Sequence, residues 1–249
     1  IYNRNEKNIG LAGNFLKVVE LSSSEYCWII GSDDFIKKHS VKELLSIIAK
    51  YNSISLIALN FDLINLKQIR VNANNDKYAQ IFACLERDEY LIRNEAPKED
   101  SLCRFDELID PKYNNVYLGA VMASVFKKKL WDAVDKSDIN VDDFNSLESI
   151  YPHCYIFAIA FIGKDAYYCK TPLITVGEGT REWGVDTGNS YWNSSLPLIH
   201  FKIITDIIEF YKRNGLNKDQ YVKCKRSAGE VSGSYFLPII SGKFFRKPV

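Results

Sequence analysis

The sequence predicts an α/β fold organised on a parallel sheet, and three observations carry that expectation. Short apolar runs rich in aromatic and β-branched residues, at 26–30 and 54–61, are too short for helices and end on turn residues. Stretches with apolar residues at helical spacing lie before and between them. Strand, helix and strand alternating on this scale bury their apolar faces as a layered sheet with right-handed crossovers.

Taken in order, Ile1 to Asn3 read as the end of a strand and Arg4 to Asn8 as a polar turn. Leu11, Phe15, Val18 and Val19 then form a helical stripe, with Asn8 placed to cap it and Gly10 placed for a close backbone approach. The strand at 26–30 ends at Gly31-Ser32, and Asp33 and Asp34 follow at once. In open α/β sheets ligands collect beyond the carboxyl ends of strands, and adjacent carboxylates there suit a hard divalent cation holding phosphates. The plainer alternative is an Asp-Asp turn that caps the next helix. That helix is announced by Ser40 and Glu43 at capping-box spacing ahead of Val41, Leu44, Leu45, Ile47 and Ile48.

From about 67 to 112 the chain is polar and irregular, with one helical pattern between Tyr78 and Arg93. Residues 117–126 read as an apolar strand, Trp131 begins a short helix, and 138–148 is an acidic loop. Pro152 opens a buried helix over 154–161. Two short strands at 166–169 and 173–176 lead into a loop at 177–195 whose Gly, Thr, Asn and Trp content suits function more than linkage. Residues 196–211 form an amphipathic helix, and Phe244-Phe-Arg-Lys-Pro248 gives a weak basic-aromatic tail.

The 249 residues, 47% hydrophobic, suffice for one large domain with a sub-lobe. Lys+Arg 32 against Asp+Glu 31 excludes a broadly basic nucleic-acid surface. The six cysteines are scattered without a CxxC pair, which favours buried free thiols in a reducing, cytoplasmic setting over a disulfide framework or zinc site. No signal peptide or membrane-length apolar run is visible; the segment 196–211 and the tail leave peripheral contact with a membrane surface open. Because the chain opens at Ile1 amid apparent structure, further sequence is expected to precede it.

The ordered set Asn8-x-Gly10-x-x-x-Asn14, an amphipathic helix, Glu25-Tyr-x-Trp-x-x-x-Ser32-Asp33-Asp34 and a capped helix with Leu44-Leu45 resembles the inverting family 2 glycosyltransferases. Within these, the abequosyltransferase-like group of O-antigen sugar transferases is the nearest sub-pattern. The resemblance covers residues 1 to about 60 and continues weakly through Gly119 to Trp131. It implies a GT-A (Rossmann-like) domain over 1–195, lacking its first β-α unit, with a C-terminal helical extension over 196–249. It implies a nucleotide-diphosphate sugar as donor, a glycan or lipid-linked glycan as acceptor, and Mn²⁺ or Mg²⁺ on Asp34 and Asp33. Asp33 would also touch the donor ribose or sugar, and Ser32 replaces the first acid of the common Asp-x-Asp form. Asn8, Gly10 and Asn14 would lie beside the nucleotide. Arg181 and Trp183, in the late loop, would meet pyrophosphate oxygens and a sugar face. For the acceptor base, His153 stands roughly where the family carries an acid, and Asp142 and Asp143 are the alternative carboxylates. The competing reading is a transferase-like module that binds carbohydrate or a partner protein without turnover.

Overall fold

The computed structural model of the chain describes residues 2–66, 69, 77–87, 89–115, 117–141, 145–178 and 198–240. Helix α1 (Gly10–Leu21) starts where the Asn8 side-chain oxygen accepts from the Gly10 amide at 2.9 Å. It ends at Ser22, whose backbone is extended. Strand β1 (Tyr26–Trp28) turns through Gly31–Asp33 into β2 (Asp34–Ile36), and α2 (Ser40–Lys50) follows. The capping box expected at Ser40 does not form. Ser40 is buried and gives its hydroxyl to the Leu173 carbonyl at 2.6 Å, while His39, with a φ of 70°, occupies the cap position.

Strand β3 (Leu56–Asn65) is the centre of the sheet. Helix α3 (Lys77–Glu86) meets the helical pattern expected from Tyr78, ending short of Arg93, while β4 (Leu91–Arg93) and β5 (Ser101–Arg104) are strands in a region otherwise expected to be irregular. The strand expected over 117–126 shrinks to β6 (Ser124–Lys127), because Tyr117 and Leu118 take φ values of 56° and 71° and residues Val121–Ala123 wind into a 3-10 turn. Helices α4 (Lys128–Asp132), α5 (Leu147–Ile150) and α6 (Pro152–Ala160) follow, the last with Pro152 in its first turn as expected.

The two short strands expected near 166–176 are one, β7 (Asp165–Glu178), interrupted by a bulge. Between the paired positions Leu59/Cys169 and Phe61/Ile174, β3 advances two residues and β7 five. Pro172 lies inside this bulge, a position where a strand tolerates a residue without a ladder N–H. A π-helical turn (Leu198–Ile203) leads into α7 (Ile204–Arg213), and α8 (Lys218–Ile240) ends the described chain. Helix α8 lies within the segment expected to form a helical extension over 196–249, although the sequence marked no separate helix at 218–240.

The sheet order is β1-β6-β3-β7-β2, with β4 on β3 and β5 on β7. Its longest ladder, β3 with β7, is parallel, and the other described pairings are antiparallel. The sheet is therefore mixed where a mostly parallel one was expected, with the parallel pairing confined to its centre. The α/β layering stands. Successive β3 residues point to opposite faces: Leu56 and Ala58 join one core, Ile57 and Leu59 the other. Leu44 and Ile47 of α2 cover the second face, and α1, α4, α6 and α7 cover the first. Around Phe126 on that first face, Trp131 stacks at 5.0 Å and Phe157 packs edge-on at 5.4 Å.

Ile204, Ile207, Ile208 and Tyr211 of α7 belong to the same core as Leu56 and Phe126, with Cys224 of α8 beside them. The described apolar residues of the 196–211 segment, from Ile203 on, are thus packed against the domain. Among the described residues no helix is long and apolar enough to cross a membrane. All six cysteines are free thiols, five of them buried.

Candidate functional site

The corner at the end of β1 is built by two glycines. The Gly31 amide donates to Asp34 Oδ2 at 2.9 Å. A Cβ on Gly31 would lie 2.8 Å from Asp33 Oδ1 and 2.9 Å from Asp34 Oδ2, so both carboxylates gather over this residue in space that only glycine leaves open. On the other side, the Gly177 amide donates to the Asp33 carbonyl at 3.1 Å, and a Cβ there would overlap that oxygen. Asp34 pairs with Val176 across β2 and β7. Aromatic residues of β1 fix the strand that feeds this turn: the Tyr26 hydroxyl donates to the Ile54 carbonyl at 2.6 Å and the Trp28 indole to Met122 at 2.7 Å. Ser32 is exposed at the tip, and Asp33 and Asp34 are half-buried.

Among the described residues no group of three or more His, Cys, Asp and Glu side chains converges. The corner brings together two carboxylates, and Mg²⁺ and its like are generally held by one or two carboxylates with substrate phosphates completing the shell.

Behind the corner lies a charge cluster missed at the sequence level. Asp62 of β3 is 0% exposed, and its Oδ2 accepts from Lys37, just after β2, and from Arg93 of β4 at 2.7 Å. Asp62 lies in one cross-strand row with Thr175 and Phe35, next to the row of Leu63, Val176 and Asp34. A cavity of about 460 Å³ opens here, lined by Phe35, Lys37, Lys38, Phe82, Leu91 and Thr175. The available signal was a lone carboxylate inside an apolar run, which requires a cationic partner when buried.

The asparagines of the first motif are used locally. Ile9, not Asn8, holds the cap position of α1; the Asn8 side-chain oxygen accepts from the Gly10 amide one residue further out, and the Asn14 side-chain oxygen accepts from Asn5 at 2.9 Å. The close approach expected at Gly10 is to Val141: Gly10 has a φ of 70°, and a Cβ on it would lie 2.7 Å from the Val141 carbonyl oxygen. The segment that runs into Asp142 and Asp143 therefore abuts the start of α1. Asp142 and Asp143 themselves, like Arg181 and Trp183, lie outside the described residues.

His153 occupies a different environment from that of a solvent-facing base. It is 1% exposed, ringed by Phe15, Tyr151 and Phe157, with Nε2 3.1 Å from the Gly119 carbonyl. That contact makes Nε2 the protonated nitrogen, and Nδ1 is buried without a hydrogen-bond partner among the described residues. Burial pushes the imidazole down to about 4, and the Gly119 and Leu118 carbonyls only partly offset it. The ring is neutral at physiological pH, and its basic nitrogen is enclosed by protein.

A stability prediction follows, with its sign set by a folded pKa below the unfolded value. The contribution is complete above about pH 6.5 and is lost as pH falls from there toward 4. Between pH 7.5 and 4.5 the loss assignable to His153 is on the order of 2–3 kcal/mol. Urea unfolding at both pH values checks it: wild type loses more stability than His153→Gln over this interval, and equal losses refute the assignment.

No family model matches the chain. It is similar to the abequosyltransferase RfbV of Salmonella typhimurium (strain LT2), 29% identical over 182 residues, covering 70% of this chain and 47% of that protein. The similarity is to a glycosyltransferase. This chain spans about half the length of that relative, whose name makes it a transferase of abequosyl groups.

Proposed function

We propose that the chain transfers a sugar from a nucleotide-diphosphate sugar to a hydroxyl of a glycan or lipid-linked glycan of the O-antigen type, with inversion, on a GT-A domain. The observation that carries the proposal is the pair of carboxylates gathered over Gly31 at the end of β1, in a chain similar along 182 residues to a transferase. Asp34 and Asp33 would hold Mn²⁺ or Mg²⁺, which when bound supplies positive charge to the departing diphosphate. Asn8, Gly10, Asn14 and Ser32 are assigned to the nucleotide side, Arg181 to the pyrophosphate and Trp183 to a sugar face. In the transfer, the acceptor oxygen bonds to the anomeric carbon as the nucleoside diphosphate leaves with the bonding pair. The hydroxyl proton goes to a carboxylate. Asp143, with Asp142 next to it in sequence, is assigned that role over His153, because the basic nitrogen of His153 is enclosed.

Donor hydrolysis tests the proposal, since water replaces the acceptor slowly in most transferases. The full chain is incubated with a panel of nucleoside-diphosphate sugars and Mn²⁺, Mg²⁺ or EDTA, and released nucleoside diphosphate is measured. Metal-dependent release from at least one donor supports the proposal. No release, with no thermal shift by Mn²⁺ and any nucleoside diphosphate, overturns it and leaves the binding-module reading.

A further inference from the structure

Tyr117 and Leu118 are consecutive non-glycine residues with left-handed backbones, at φ 56° and 71°. Single residues of ordinary type adopt this region at a cost, and two in a row persist only where the surroundings over-determine them. Here the surroundings do. The Leu118 amide donates to Asn115 Oδ1 at 3.1 Å, and His153 Nε2 donates to the Gly119 carbonyl at 3.1 Å. The Tyr117 hydroxyl donates to the Cys224 carbonyl at 3.0 Å, and the Tyr211 hydroxyl reaches the Tyr117 carbonyl at 3.4 Å. Tyr117, Leu118, His153, Tyr211 and Cys224 are all buried. The latch thus draws on three separate helices, α6, α7 and α8.

The residues that emerge from the turn point the use of this strain toward the candidate site. Gly119, Ala120, Val121 and Met122 are half-buried, and the Met122 carbonyl accepts from Trp28 on β1, the strand that feeds Gly31 and the two aspartates. Strained backbone of this kind concentrates at sites that need a fixed geometry. His153 fits a fixing role better than a proton-transfer role: its donor nitrogen is engaged and its other nitrogen faces protein.

We infer that His153 is a positioning residue, which with Tyr117 and the two C-terminal helices latches the left-handed turn and so holds residues 119–122 against β1 beside the transfer site. The inference rests on the proposed transferase function for its kinetic consequence, but not for its structural one. Two readouts keep these apart, applied to His153→Phe, His153→Gln and the milder Tyr117→Phe. Hydrogen exchange of peptides covering 115–123 reads the latch directly. Exchange rises in His153→Phe and Tyr117→Phe, and is restored toward wild type in His153→Gln, whose amide can still donate to Gly119. Metal-dependent donor turnover reads the consequence: His153→Phe lowers kcat on the order of ten- to a hundredfold, as misplacement by an ångström can. His153→Gln retains most of the rate, and the pH profile keeps its shape in both. Unchanged exchange in both His153→Phe and Tyr117→Phe overturns the latch whatever the activity. Loss of rate in His153→Gln equal to that in His153→Phe, with the acidic limb of the profile gone, overturns positioning in favour of a base. Raised exchange in a chain whose wild type hydrolyses no donor upholds the latch and overturns the transferase proposal instead.

Discussion

Asp34→Asn abolishes most metal-dependent donor hydrolysis while leaving the fold intact. The asparagine keeps an oxygen that can accept from the Gly31 amide, the hydrogen bond that closes the turn, so the local backbone survives. What disappears is one of the two negative charges gathered over Gly31. Metal-ion stabilisation of a leaving group supplies several kcal/mol, which at 1.36 kcal/mol per decade is on the order of 10²–10⁴ in rate. The measurement is a manganese titration of donor hydrolysis in wild type and variant, with the thermal midpoint recorded alongside. A variant with wild-type rate and metal dependence would remove the corner from the proposed chemistry.

Asp62→Ala is expected to be the most damaging single substitution to stability among the charged residues described. One fully buried carboxylate serves two cations, Lys37 and Arg93. Removing one member of a buried ion cluster typically costs 3–5 kcal/mol, because the remaining charge is left without compensation. The Lys37 and Arg93 side chains are 28% and 58% exposed, so both can turn partly to water, which places the loss near the lower end, about 3 kcal/mol. Lys37→Met costs less, about 1 kcal/mol, since Arg93 still pairs with the carboxylate. Urea denaturation of the two variants gives the comparison. Equal losses, or an Asp62→Ala loss below that of Lys37→Met, would show that Asp62 is not the shared hub.

The parts of this molecule that were legible in the sequence are those fixed by short-range chemistry. An apolar run broken by Gly31 and two carboxylates could be read as a strand end, and Pro152 ahead of an apolar stretch as a helix start. The parts that were not legible depend on distant partners. Ser40 and Glu43 had the spacing of a capping box, but Ser40 bonds a carbonyl more than a hundred residues away. Residues 117–126 had the composition of a strand, but Tyr117 and Leu118 at its start are held left-handed by contacts with α6, α7 and α8. Gly177 looked like the start of a loop, and its fit against Asp33 exists only once β2 and β7 are paired. Asp62 advertised a need for a cation, yet nothing local to it names Lys37 or Arg93.

The bulge at 170–173 acts as a phase shifter along β7. Three extra residues, an odd number, exchange the two sides of the strand: Ala166 and Tyr168 contribute to one core, whereas Ile174 and Val176, also even-numbered, contribute to the other. The half of the strand that ends at Gly177 is therefore set by its own parity, independent of the half anchored against β5. A one-residue insertion or deletion within the bulge would invert that half and turn Gly177 away from Asp33. A two-residue change would preserve it, which gives the corner at Asp33 and Asp34 a tolerance to length variation that comes in steps of two.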